Sequence, residues 1–280
     1  MCNLYHMTPK NDLEVYVRRH LARLWLPEYD PPKPFVGPFD TGLFLRAATP
    51  GVRSQKADAG RGERLDGQDE TPADSAQEAT NAALEGVFGQ WGLIRPGSPA
   101  RKDMMQPRGV PGRKPPAPRA RTTNNARIET VTTTPTFRAA WNEGRRCLIP
   151  ASWYQEPNWE TGKNIWWQLR RADGDPWMLA GIWNEWVDPA TGEVVPNYSM
   201  LTCNCDGHPL LGRLHKPDPS LPPDAQDKRA VIAIEPQDWA SWLFGSMSEA
   251  QALLRPAAVG VFDPADAIAT DQALSQPGQP

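Results

Sequence analysis

The sequence predicts an α+β fold dominated by antiparallel sheet, and three observations carry that expectation. Short apolar or alternating runs recur from residue 127 onward, at 165–169, 177–183, 199–203, 230–234 and 257–262. Such runs, separated by turn-forming residues, read as strands of a sheet. Helical periodicity is confined to the first thirty residues and to 237–255, and no internal repeat interrupts the pattern.

Each element follows from local chemistry. Residues 2–7 are strand-like. A helix starts at Thr8-Pro9, a hydroxyl N-cap followed by proline at the first helical position. Leu13, Val17, Leu21 and Leu24 give it one apolar stripe, with Arg18, Arg19 and Arg23 opposite. Residues 51–85 are polar, acidic and poor in aromatics, which predicts a disordered insertion. Folded sequence resumes at Gly86 with GVFGQWGLIRPG. Late in the chain a helix is expected over 237–244, after Pro236 and ending at Gly245. Another is expected from Ser248, with Gln251 completing a capping box, ending before Pro256. One domain over 1–263 and a frayed tail over 264–280 result.

Composition bounds the function classes. With 280 residues, 39% of them hydrophobic, the chain can bury a substantial core. Its mean hydropathy is -0.58. No run approaches the ~20 apolar residues of a membrane helix, and the start lacks a secretory signal, so a cytoplasmic, nucleoid-associated location without membrane contact is expected. Four cysteines, Cys2, Cys147, Cys203 and Cys205, do not form a disulfide scaffold and read as free thiols. The net charge of -3 argues against indiscriminate nucleic-acid binding, yet the charges are segregated. Residues 56–85 hold eight acids against three bases, whereas 95–127 hold nine bases against Asp103 alone. That Pro/Gly-rich basic stretch is either a solvated loop or one that tracks the phosphates of a nucleic-acid strand.

Cys2 carries the most distinctive chemistry. Removal of Met1 would leave an α-amine, with a pKa of roughly 7.7–8, and a thiol on one residue. Such a 1,2-aminothiol condenses with an aldehyde to an imine, and its sulfur then closes a thiazolidine ring. Cys203, Cys205 and His208 form a C-x-C-x2-H pattern, a weak zinc signal without a fourth ligand nearby.

Five segments, MCNLY at 1–5, WGLI at 91–94, NARIET at 125–130, RCLIPASWYQE at 146–156 and LTCNCDGHPLLGRLHKP at 201–217, resemble the SOS-response-associated peptidase (SRAP) family. The resemblance covers the start and most of residues 86–244. It implies a single barrel-like domain, monomeric and without metal or organic cofactor. It also implies that the processed Cys2 forms a thiazolidine with the ring-opened aldehyde of an abasic site in single-stranded DNA, shielding the lesion.

By the same resemblance Asn125 holds the substrate and the amine, Glu156 shuttles a proton during imine formation, and His215 protonates the sugar ring oxygen to favour the open aldehyde. His208 competes with His215 for that last role. DNA contacts are implied for Arg127, Thr202 and Trp91, and the basic loop adds Arg119 and Arg121. The imine would also permit strand cleavage by β-elimination. The chain departs from the family at Leu4, where an arginine is common, at Gln155 and Pro157 around the glutamate, and in the insertion 218–227. Two rivals remain: an N-terminal-nucleophile cysteine peptidase acting on Met1 or other peptides, and a protein that binds DNA without chemistry.

Overall fold

A computed structural model of the chain describes residues 2–20, 23–28, 33–48, 83–109, 112 and 114–265. In chain order these form β1 (Tyr5–Met7), α1 (Lys10–His20), β2 (Arg23–Trp25), β3 (Phe35–Val36), β4 (Thr41–Ala47), β5 (Ala83–Trp91), β6 (Met104–Met105), β7 (Arg119–Ala120) and β8 (Asn125–Arg127). There follow α2 (Arg138–Asn142), β9 (Arg146–Asn158), β10 (Ile165–Leu169), β11 (Trp177–Val187), β12 (Val194–Asn204), β13 (Arg229–Val231), α3 (Trp239–Phe244) and α4 (Met247–Ala252).

Five strands in the order β11-β12-β5-β4-β9 close into a barrel, because β11 also pairs with β9. The expected α+β architecture is therefore realised as a closed sheet, which removes the exposed edges of an open one. The β12–β5, β12–β8 and β2–β5 pairings are parallel and the other strand pairs antiparallel. Closure is tight enough to dictate residue type. A Cβ at Gly42 of β4 would lie 2.2 Å from both the Tyr5 and Tyr198 hydroxyls, which hydrogen-bond to each other in the buried interior. α1 packs Leu13, Tyr16 and Val17 into the core, and Trp242 of α3 donates Nε1–H to Cys147 O at 2.9 Å, pinning the helix to β9. No helix among the described residues is long and apolar enough to cross a membrane.

Several expected boundaries move. α1 ends at His20, and Leu24, expected on the helical stripe, lies in β2. β5 starts at Ala83, ahead of the expected Gly86, because Glu85 is buried against Arg46 at 2.7 Å; residues 51–82 of the expected insertion lie outside the described residues. The late capping box is formed by Ser246 and Glu249 in place of Ser248 and Gln251, so α4 starts at Met247. The run 257–262 forms a 3-10 turn at Val259–Val261, and Phe262 makes an isolated bridge with Arg171, just beyond β10. Of the expected tail, 266–280 lie outside the described residues.

Candidate active site

Strand pairing sets the position of Cys2. β1 runs antiparallel to β9 with Tyr5 opposite Tyr154, and the ladder continues as Gln155 N–H donates to Leu4 O at 2.9 Å. Cys2 is thereby carried alongside the end of β9 that bears Glu156. Its side chain is fully enclosed, with Sγ donating to Leu4 O at 3.4 Å. Its carbonyl accepts from Asn125 Nδ2 at 2.7 Å and from Asn124 Nδ2 at 3.1 Å, and Asn124 also donates to Asn3 Oδ1 at 3.2 Å. Two side-chain amides therefore fix one peptide group. Burial pushes the Cys2 thiol far above its ordinary value, and the charge of Glu156 adds to that rise.

Glu156 is buried, and loss of hydration raises its carboxyl to about 7 even though the positive amino terminus pulls it back down. His215 Nε2 stands 3.6 Å from Glu156 Oε2. The histidine is delivered by an isolated bridge between Asn158 and Leu214, after which His215 N–H donates to Pro157 O at 2.6 Å. Its φ of 64° is a left-handed conformation, unusual for a histidine. Lys228 secures this turn, with Nζ donating to Leu214 O at 2.7 Å and to His215 O at 2.6 Å. His215 Nε2 lies 2.8 Å from Arg229 O, and because a carbonyl can only accept, Nε2 carries the hydrogen and Nδ1 the lone pair. Burial and the positive amino terminus lower His215 to about 4. At neutral pH the imidazole is therefore neutral, and the group that stands near pH 7 is Glu156.

The site residues expected from the sequence divide. Cys2, Asn125, Glu156 and His215 converge on the end of β9, joined by Asn124 and Lys228, which sequence reasoning missed. Asn124 directly precedes the NARIET run and is its other amide, so the signal for it was adjacency. Lys228 had none, since its role comes only from the fold of the 218–227 insertion.

The DNA contacts fare differently. Trp91 is fully buried, donates to Asn124 O at 2.9 Å and packs edge-on to Tyr5, so it buttresses the clamp from within the core. Thr202 is equally enclosed, its hydroxyl 3.5 Å from Ala126 O, and offers no surface to a nucleotide. Arg127 is exposed but occupied by Asp227 at 2.6 Å. Arg121 shares Asp103 with Arg95, while Arg119 is exposed on β7. His208 is a structural clasp: Nε2 meets Ala257 O at 2.9 Å, and Nδ1 accepts from the backbone N–H groups of Leu210 and Leu211. That occupancy removes it from both the zinc pattern and the contest with His215. Among the described residues no group of three or more His, Cys, Asp or Glu side chains is placed to hold a metal.

Comparison with known proteins bears on the fold and the family. A crystal structure of a protein from Bordetella bronchiseptica matches with 25% identity and a TM-score of 0.65, covering 94% of this chain and 97% of its own. A protein from Bacteroides thetaiotaomicron has the same fold at 17% identity and a TM-score of 0.58, covering 94% of this chain and 90% of its own. A phage-related protein from Bordetella bronchiseptica does so at 14% and 0.51, covering 94% and 92%. No curated protein matches significantly. A family model described as SOS response associated peptidase matches residues 52–266, a span that includes Asn125, Glu156 and His215 and begins beyond Cys2. The chain belongs to the SOS response associated peptidase (SRAP) family, whose association with the SOS response links it to DNA damage.

Proposed function

We propose that the chain, once Met1 is removed, binds single-stranded DNA and joins Cys2 to abasic sites through a thiazolidine, shielding them. One observation carries the reading. The Cys2 carbonyl is held by two amides next to a buried carboxyl at about 7 and a neutral imidazole.

The chemistry follows from those protonation states. With its lone pair on Nδ1, His215 takes the proton of the sugar's hemiacetal hydroxyl and passes it to the ring oxygen as the C–O bond breaks, freeing the aldehyde. The Cys2 amine adds to that carbon, giving a carbinolamine. Protonated Glu156 gives its proton to the hydroxyl, which leaves as water and generates an iminium. Sulfur then attacks the iminium carbon while the Glu156 carboxylate receives the thiol proton, so the carboxyl is regenerated and one water is released overall. Asn125 Oδ1, buried without a hydrogen-bond partner among the described residues, is an acceptor available to the freed amine. Opening the iminium by loss of the adjacent sugar proton would give strand cleavage as a side reaction.

A peptidase using the Cys2 thiolate would need a thiol lowered toward neutrality, and burial together with Glu156 does the opposite. Hydrolysis at Met1 is the step that such a reading keeps. The test uses Met1-processed protein, single-stranded DNA with one abasic site and no reductant. A heat-stable shifted band is expected, absent with Cys2→Ala, with Cys2→Ser and with protein retaining Met1, whose Cys2 nitrogen is an amide. Absence of the band with correctly processed protein overturns the reading; peptide hydrolysis without DNA would put the peptidase in its place.

A further inference from the structure

Beyond the Cys2 site, the outer face of β3, β1, β9 and β10 carries aromatic rings, of which Phe35 and Trp166 are exposed, His6 is half-buried and Trp153 is buried. Strand register arranges them in rows. Phe35, His6 and Trp153 lie side by side on β3, β1 and β9. His6 stacks on Trp153 with ring centroids 5.4 Å apart, and Phe35 meets His6 edge-on at 5.3 Å. Arg170 places its guanidinium 5.8 Å from the Trp153 centroid. Trp166 of β10 pairs with Pro157 of β9 in the row nearest the site. Phe35 is 49% exposed and Trp166 52%. Large rings left to water on a sheet face mark a surface that binds something.

Continuity with the site and charge say what. Leu4 faces Gln155, and Cys2, which lies ahead of β1, turns its Sγ back onto Leu4 O at 3.4 Å. Trp166 pairs with Pro157, the residue after Glu156, which puts it one strand spacing, about 5 Å, from the end of β9 that bears the site's carboxyl. The one carboxylate in the rows between Phe35 and Trp166 is the buried Glu156, opposite Trp167, and exposed Arg170 and Lys163 supply positive charge at their edge. Half-open rings beside cations are the combination that holds unpaired nucleobases, since every base has a π-face and phosphate follows the cations. We infer that Trp166, with Arg170 and the Trp153–His6–Phe35 stack, is a stacking platform for the unpaired bases on one side of the reacting nucleotide. The inference rests on the DNA reading above and deepens it by assigning where the flanking strand lies.

Non-covalent binding of a fluorescent oligonucleotide without any aldehyde tests the platform apart from the crosslinking chemistry. Trp166→Ala weakens binding about tenfold, the scale of one stacked base, and Trp166→Phe stays within about twofold of wild type. Replacing the bases with tetrahydrofuran spacers, which keep the phosphates, weakens wild type at least to the level of Trp166→Ala and costs the variant less than it costs wild type. Equal affinity of wild type and Trp166→Ala for the ordinary oligonucleotide overturns the platform. So does sedimentation showing that Trp166→Ala dissociates a dimer without changing DNA affinity, because the face would then belong to a second copy. Platform binding by a wild-type protein that makes no adduct defeats the crosslinking proposal alone; no oligonucleotide binding at all defeats both.

Discussion

Glu156 and His215 are buried side by side with opposite displacements, and the consequence is a pair of opposing stability terms. The folded Glu156 carboxyl sits at about 7 against an ordinary 4.5, so between those pH values the native state retains a proton that the unfolded chain has lost. Stability then falls as pH rises through that window, by about 3 kcal/mol in all. His215 sits at about 4 against 6.5, so the unfolded chain binds the extra proton and stability falls as pH drops through that window, by a similar amount. In wild type the two slopes largely cancel between about pH 4.5 and 6.5. Glu156→Gln exposes the histidine slope: stability rises from pH 4 to 6.5, and at pH 8 the variant is more stable than wild type by about 1–3 kcal/mol while its adduct formation collapses. Urea unfolding at pH 5, 6.5 and 8 checks this. Equal destabilisation of the variant at pH 5 and pH 8 would show that the carboxyl is not held protonated by burial.

At the scale of elements, the insertion 218–227 acts on the site from two directions. Its end places Asp227 on Arg127 at 2.6 Å and on Arg229 at 3.1 Å, while the following Lys228 clamps the backbone of His215. Asp227 N–H and Lys228 N–H are in turn held by Asp206, at 3.1 and 2.7 Å. Asp227 thus occupies a cation that the family resemblance gives to phosphate. Asp227→Asn releases Arg127, and Arg229 keeps its two contacts to Glu129, so the His215 turn stays in place. Affinity for single-stranded DNA is expected to rise several-fold at low salt, with a steeper loss of affinity as salt increases. Unchanged affinity and salt slope would show that Arg127 does not face the phosphates. None of this is readable from the sequence, where Asp218–Asp227 is only an acidic loop near a basic one.

What was legible is equally specific. The run 165–169 is β10 to the residue, and the runs at 177 and 199 fall within the longer β11 and β12, because apolar periodicity records burial directly. Cys2, Asn125, Glu156 and His215 were singled out because the motifs that carry them are long, and the fold brings the four together at one end of β9. Trp91 and Thr202 were counted among the DNA contacts because a motif carries identity and not exposure; only the closed barrel shows both to be interior.

For the whole molecule, barrel closure and the site share one point of tension. Gly42 lies where β4 passes the Tyr5–Tyr198 hydroxyl pair, and a methyl there would stand 2.2 Å from both oxygens. Tyr5 and Tyr198 are fully buried, so neither can swing into solvent, and the strain falls on β1 or β12. Overpacking of this kind costs about 1–3 kcal/mol, or a few degrees to about 10 °C in melting temperature for a chain of this size. Displacement of β1 has a second effect, because that strand carries Cys2 against the Asn124–Asn125 clamp. Gly42→Ala is therefore expected to melt lower and to form the abasic adduct more slowly at a temperature where it remains folded. Gly260→Ala provides the control, since a methyl there meets nothing within 4 Å and the backbone is not left-handed. Wild-type melting of Gly42→Ala would contradict the packing inside the barrel. A lowered melting temperature with an unaltered adduct rate would instead show that the two amides alone position Cys2, independently of the strand that delivers it.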